Sequence, residues 1–304
     1  MNIPLTFQTK IVGAFGQAGE DWLEALEQKV QYFLEKWSLT SEGPVSNLSY
    51  NYVLKATDSQ GRAVVLKLGI PGFDFNNEIK TVQAYKGEGC AKLLLADAEQ
   101  GAMLLERLSP GIMLADEKDE ELVLHEYANV WRALRRPVPA DVTFPTIMDW
   151  ASGLTRYQAN YRHDDGPIAK DLIVLADTFF RELTETCDEP ELLHGDLHHE
   201  NILYAEDRGW LAIDPKGLVG DRYFDTVSFL VNHLHTKPNP KDVLTFRVDF
   251  LVKNLGLDRV RLLKAAVAMS ILSACWGIED KDPDWEHTYK YAKWFHDMLV
   301  RYEG

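Results

Sequence analysis

The segment from Leu192 to Leu203 ties several chemistry-bearing residues to one local shape. It runs Leu-Leu-His194-Gly-Asp196-Leu-His-His-Glu-Asn201-Ile-Leu: an Asp, four intervening residues and an Asn, flanked by apolar residues. Ile202-Leu203-Tyr204 has strand character and Glu206-Asp207-Arg208-Gly209 is a polar turn. Trp210 to Ile213 resumes the strand, which ends on Asp214. Singly, each Asp or Asn suits a turn or a helix cap. A hairpin that starts just after Asn201 and closes on Asp214 asks for more. Phosphoryl transfer from a nucleotide needs a carboxylate to orient and deprotonate a hydroxyl, an amide oxygen on Mg²⁺, and a second carboxylate bridging the metals. Asp196, Asn201 and Asp214 stand in that order at suitable separations.

At these residues the chain resembles the aminoglycoside phosphotransferase superfamily. His194-Gly-Asp196-Leu-His-His-Glu-Asn201 carries the likeness, and Ala212-Ile-Asp-Pro-Lys-Gly-Leu-Val-Gly-Asp221, with Asp225 after it, is similar to the streptomycin 6-kinase and hydroxyurea kinase branch. Leu104-Leu-Glu-Arg-Leu-Ser-Pro-Gly111 fits that branch too, so the resemblance spans about Ser46 to Asp225. It implies an α+β, bilobal protein-kinase-like fold using ATP or GTP and Mg²⁺ on a small-molecule hydroxyl. By the same resemblance His194 braces the catalytic loop and Asp225 buttresses it from behind. Relatives commonly have a small residue or Pro where this chain has Arg222. Asp225 also suits a helix N-cap or first turn. Protein kinases differ: they have Asp-Phe-Gly where this chain has Asp214-Pro-Lys, and Gly-x-Gly-x-x-Gly and Ala-Pro-Glu are missing here.

Upstream, Trp22, Leu23, Leu26, Val30, Phe33, Leu34 and Trp37 recur at helical spacing over Glu20 to Trp37, as in a helix docked on a sheet. Leu48, Tyr50, Tyr52, Leu54 and Ala56 alternate as in a strand, Asp58-Ser-Gln-Gly61 turns, and Arg62 to Leu68 is the partner strand. Ser46, Asn47 and Ser49, after Gly43-Pro44, are candidates to donate to phosphates. Lys67 lies within an apolar strand, where a cation needs a partner or a route to water. In the kinase reading it holds the α- and β-phosphates, with Glu78, eleven residues on, as its helix partner. Strands are expected over Ala91 to Ala96 and Ala102 to Glu106. The hinge follows at 104–111, where backbone groups around Glu106 and Leu108 read the purine edge. This divides the chain into an N-terminal nucleotide-binding lobe, 1–108, and a helical catalytic and acceptor-binding lobe, 109–304.

Helical periodicity then covers Asp119 to Arg135, Thr146 to Arg162, Ile168 to Thr186, Phe224 to Leu234, Lys241 to Leu255, Arg259 to Ile278 and Trp285 to Tyr302. Sheet first and helices later indicates two packed subdomains rather than a doubly wound sheet. The run Glu279-Asp280-Lys-Asp282-Pro-Asp284-Trp285-Glu286 has five acids in eight residues. A charge run suits a solvated loop. It also suits an acceptor-pocket wall, with carboxylates for ammonium or guanidinium groups and Trp285 for stacking. His194, His198 and His199 lack a thiol or carboxylate at a zinc spacing, and the oxygen donors beside them suit Mg²⁺.

The net charge of −15 speaks against nucleic acid as partner and leaves a cationic small-molecule acceptor open. No apolar run approaches a membrane span, and the first residues lack a secretory pattern. Cys90, Cys187 and Cys275 are sparse and scattered, as in a reducing cytoplasm. The expectation is a cytoplasmic small-molecule kinase acting on a streptomycin-type aminoglycoside. Hydroxyurea, choline or another small metabolite is the alternative acceptor, and a nucleotide-binding pseudokinase the alternative class. The sequence leaves the oligomeric state open.

Overall fold

The computed structural model describes residues 3–162 and 166–303. In chain order the elements are α1 (Leu5–Phe15), α2 (Gln17–Lys36), β1 (Thr40–Pro44), β2 (Tyr52–Thr57), β3 (Ala63–Leu68), α3 (Phe73–Tyr85), β4 (Leu93–Asp97), β5 (Ala102–Glu106) and β6 (Pro110–Met113). Then come α4 (Glu120–Leu134), α5 (Ile147–Asn160), α6 (Lys170–Glu185), β7 (Glu191–Leu193), β8 (Ile202–Ala205), β9 (Gly209–Ala212) and β10 (Leu218–Gly220). The chain ends in α7 (Val227–Val231), α8 (Pro240–Leu255), α9 (Arg259–Glu279) and α10 (Trp285–Glu303). This is a bilobal α+β fold of protein-kinase-like type, with an antiparallel sheet lobe before a mainly helical one.

The chain forms two compact units. The first runs through Ile112 and takes in Tyr204–Ile213; the second comprises Met113–Leu203 and the chain from Asp214 onward. In the first unit β1-β2-β3-β5-β4 form an antiparallel sheet. Side chains alternate between its faces. Val64, Leu66 and Leu68 pack with Phe7, Ile11, Trp22, Leu26, Val30 and Phe33 of α1 and α2. The Trp22 indole N–H fixes the docking with a hydrogen bond to the Gly69 carbonyl, 3.0 Å. On the opposite face Phe75, Ile79 and Val82 of α3, at helical spacing, cover Met103, Leu105 and Val65. Lys67 shares the Val65 face and so points toward α3.

Of the hairpin read between 48 and 68, the first strand begins only at Tyr52; Leu48 and Tyr50 precede it. No periodicity marks β1, whose Thr-Ser-Glu-Gly-Pro is almost wholly exposed and bulged between Ser41 and Gly43. The β8–β9 hairpin lies where the motif predicts it, and its turn residue Arg208 pairs with Glu106.

In the second unit α9 is the core helix, packed by α5, α6, α8 and α10. It is apolar on nearly every side. Among the described residues it is the one helix long and apolar enough to cross a membrane by length and composition, yet 67% of that stretch is buried inside the protein. The helix expected over 224–234 is instead a 3₁₀ turn, Arg222–Thr226, then the short α7, then a second 3₁₀ turn, Leu234–Thr236. The fully buried Arg247 of α8 explains where α7 stops. Its guanidinium donates to the carbonyls of Phe229, Leu230 and Asn232 at 3.1, 3.1 and 2.8 Å, and to Glu120 at 2.6 Å. Those carbonyls are the ones a helix end leaves unsatisfied.

Candidate active site

The loop 194–201 hangs from a small antiparallel ribbon, β7 with β10, in which Leu193 faces Leu218. The ribbon brings the residues after Asp214 alongside the loop. Lys216 and Gly217 donate their backbone N–H groups to the His194 carbonyl at 2.7 and 3.2 Å. Gly195 takes φ +82°, and a Cβ there would come within 3.2 to 3.4 Å of Lys216, Leu218 and Trp150. A side chain would be strained on both counts. Asp214 itself, at the end of the β9 strand run, adopts φ +58°, an uncommon left-handed geometry for a non-glycine.

Asp225 lies buried in the 3₁₀ turn, not at its N-cap, which is Asp221. Its carboxylate accepts the backbone N–H of His194 at 3.0 Å and of Gly195 at 2.6 Å. Burial pushes its pKa up to about 6, although those two hydrogen bonds work in the other direction. His194 is fully buried, and its Nδ1 accepts the Asp196 N–H at 3.2 Å. Two side chains thus fix the backbone on which Asp196 rides. Asn201 donates from Nδ2 to the Asp196 carbonyl at 2.9 Å, which ties its side chain to the loop backbone.

The second and third histidines have different jobs. His199 is buried and stacked on Phe229 at 4.4 Å. Burial, with Arg247 and His233 nearby, lowers its pKa to about 3. His198 is raised: burial opposes its charge, but Glu200 and Asp196 outweigh that. Glu200 is held well below the usual carboxylate range. Burial alone would raise it; hydrogen bonds from His198 and Asn232 and the charge of His233 prevail.

In the first unit Lys67 Nζ lies 2.6 Å from Glu78 Oε1, with both side chains buried. Ser46 and Asn47 sit exposed between β1 and β2. The Glu106 backbone N–H is committed to the Lys92 carbonyl at 2.9 Å and its Oε1 accepts the Lys92 N–H at 2.8 Å, while Leu108 is buried.

The acidic segment divides. Asp280 caps the C-terminus of α9, and Asp282 turns its carboxylate onto the Asp284 N–H at 2.9 Å. Asp284, Trp285 and Glu286 line a cavity of about 710 Å³ with His287, Tyr289, Lys290 and Lys293. Lysines thus share the wall with the acids, which the charge run alone did not suggest. Sequence reasoning also passed over Trp150, whose ring edge would lie 3.4 Å from a Cβ at Gly195 and which meets Trp276 edge-on at 5.4 Å. Nothing local marks it, because its partners lie on distant elements. His198 and Glu200 could have been singled out by their place inside the Asp-x4-Asn loop.

A carboxylate on a braced loop, an Asn amide tied to the same loop, a second carboxylate at a strand end and a buried Lys–Glu pair in the sheet lobe accord with the class that the chain's relatives share, ATP-dependent small-molecule phosphotransferases of kinase-like fold. The chain belongs to the aminoglycoside/hydroxyurea antibiotic resistance kinase family, whose model matches residues 36–281. It is 31% identical over 293 residues to the streptomycin 6-kinase of Streptomyces glaucescens, covering 92% of each chain. It is 32% identical over 271 residues to the hydroxyurea phosphotransferase of Kitasatospora aureofaciens, covering 87% of this chain and 77% of that one. Among solved structures, an aminoglycoside phosphotransferase APH(4)-Ia superposes with TM-score 0.61 at 14% identity, covering 89% of this chain and 97% of the other. Choline kinase LicA from Streptococcus pneumoniae gives 0.62 at 13%, covering 90% and 99%. At these identities the structures speak for the fold.

Proposed function

We propose that this enzyme transfers the γ-phosphoryl group of ATP or GTP to a hydroxyl of an aminoglycoside, the 6-hydroxyl of a streptomycin-type compound, with Mg²⁺. The observation that carries the reading is the braced loop, in which His194 and Asp225 hold the backbone of Asp196 and Asn201 is tied to the Asp196 carbonyl. The donor set fits Mg²⁺: one carboxylate, Asp214, and one amide oxygen, Asn201, leave room for the waters and phosphate oxygens that this ion keeps. When bound, the metal neutralises charge on the phosphates. Asp196 orients the acceptor hydroxyl and takes its proton as the new P–O bond forms and the β–γ bridging bond breaks, leaving the nucleoside diphosphate. Lys67, aligned by Glu78, holds the α- and β-phosphates, and Ser46 and Asn47 donate to them. The backbone around Glu106 and Leu108 reads the purine.

Asp284, Glu286 and Trp285 form the acceptor wall in this reading, with Asp280 and Asp282 shaping the turn between α9 and α10. Lys290 and Lys293 on the same wall favour a second reading, in which a small neutral acceptor such as hydroxyurea is phosphorylated. A coupled nucleoside-diphosphate assay over streptomycin, other aminoglycosides, hydroxyurea and choline tests both. We expect turnover with streptomycin, and product phosphorus bound at the 6-oxygen by ³¹P NMR. Turnover with hydroxyurea alone replaces the first reading with the second. Silence across the panel with nucleotide still bound rejects both.

A further inference from the structure

Asn201 has two amide hydrogens and, in this loop, two acceptors for them. The Asp196 carbonyl, 2.9 Å from Nδ2, can only accept, so it fixes which way the amide faces. The second hydrogen then points at His198 Nε2, 3.2 Å away. That contact is a hydrogen bond only if Nε2 carries a lone pair. The ring proton must therefore sit on Nδ1, and Glu200 Oε2 lies 2.9 Å from it. The Glu200 backbone N–H is also aligned to donate to Nδ1, at 3.3 Å, which competes with that assignment. A ring nitrogen has one in-plane direction and cannot both donate and accept there. A lone pair facing a carboxylate at 2.9 Å would be repelled, so the shorter contact decides for Nδ1–H. Asp196 Oδ1 is 3.7 Å from Nε2, too far to compete for it.

Glu200 is itself held from another element. Oε2 accepts from Asn232 Nδ2 at 2.7 Å, and His233 Nε2 approaches Oε1 to 2.5 Å as an ion-pair contact without hydrogen-bond alignment. Asn232 and His233 follow α7, whose end Arg247 clamps.

We propose that His198 and Glu200 are positioning residues. Glu200 holds His198 as the Nδ1–H tautomer, and the bare Nε2 takes the second amide hydrogen of Asn201, presenting Oδ1 to Mg²⁺. The inference rests on the Mg²⁺ role given to Asn201 above. Partners of this kind behind a metal ligand typically change metal affinity about 10- to 100-fold.

The first test needs neither metal nor turnover. Long-range ¹H–¹⁵N spectra of the imidazole nitrogens, at mildly alkaline pH and assigned through the loss of one spin system in His198→Gln, should show His198 protonated on Nδ1 and bare on Nε2. An Nε2–H or doubly protonated ring overturns the proposal. The second test is calorimetric titration of a non-hydrolysable ATP analogue, with and without Mg²⁺, without acceptor. His198→Leu should lose about tenfold of the Mg²⁺-dependent affinity and keep the Mg²⁺-free affinity. His198→Gln, whose Oε1 can replace Nε2 as acceptor, should recover most of it. Unchanged affinity in His198→Leu overturns the proposal. So does equal loss in Leu and Gln variants with matching thermal midpoints. Asn201→Ala separates the two layers: a loss there without one in His198→Leu removes only the positioning, whereas no loss in Asn201→Ala removes the metal role and the proposal with it.

Discussion

In the proposed mechanism Asp196 has one task that no neighbour can assume, the removal of a proton from the acceptor. Asp196→Asn keeps the size of the side chain and deletes the base. Turnover should fall by at least about 10²- to 10⁴-fold, while the nucleotide dissociation constant stays near wild type. Steady-state kinetics beside calorimetry check this, and a variant with near-wild-type turnover would reassign the base. Asp225 acts through the backbone. As a carboxylate it accepts two N–H groups, from His194 and Gly195; once protonated, one oxygen turns donor against donors. With its pKa near 6, kcat should fall on the acid side of about that pH. Asp225→Asn should lower kcat at every pH and erase that limb; a limb that persists in the pH–rate profile belongs to another group.

Among the elements, β3 and α3 are joined by the one buried charge pair most exposed to a simple energetic test. Glu78→Ala removes the buried carboxylate 2.6 Å from Lys67 Nζ and should cost up to about 3 to 5 kcal/mol in denaturant unfolding. Lys67→Met with Glu78→Leu should recover most of that stability and none of the nucleotide affinity. Recovery of both would mean that the pair serves packing alone. At the α9–α10 turn, Asp284→Asn with Glu286→Gln should raise KM for a cationic acceptor and leave the nucleotide KM alone. The wild-type KM should also rise with salt, since exposed charges are screened within about 8 Å at physiological ionic strength. An acceptor KM equal in mutant and wild type at low and high salt would detach this wall from the site. The elements also show where sequence stops informing. The β8–β9 hairpin and α4, α8 and α9 were legible because their signals are local: periodicity, caps and turn residues. β7 and β10 were not, because three residues carry no period and pairing Leu193 with Leu218 is a long-range event. The candidate site divides the same way. Asp196, Asn201 and Asp214 lie in one motif, whereas the packing of Trp150 against Trp276 and the hold of Asn232 on Glu200 depend on elements far apart in the chain.

For the molecule as a whole, acid stability follows from the buried imidazole of His199. Unfolded, it gains a proton near its ordinary 6.5; folded, not until about 3. Stability should therefore drop as pH falls through that window, by at most about 1.4 kcal/mol per pH unit. Glu200, with its depressed pKa, adds to the loss once pH falls below the ordinary 4.5. Asp225 runs the other way: its contribution is present below 3.8 and lost as pH rises through about 6. His199→Phe should flatten urea midpoints between about pH 6.5 and 5; an unchanged slope would assign the acid sensitivity elsewhere. The path of the backbone has a consequence for how the protein is made. The chain leaves the first unit after Ile112, re-enters it at Tyr204 and departs after Ile213. Until that hairpin is translated, the Ala91 N–H and the Gly89 carbonyl lack Ala212, which pairs with each at 2.9 Å, and Glu106 lacks Arg208. A nascent chain therefore cannot finish its N-terminal unit as the ribosome moves on. It must wait until Asp196 and Asn201 have been synthesised, and the codon after the last residue it needs is that of Asp214.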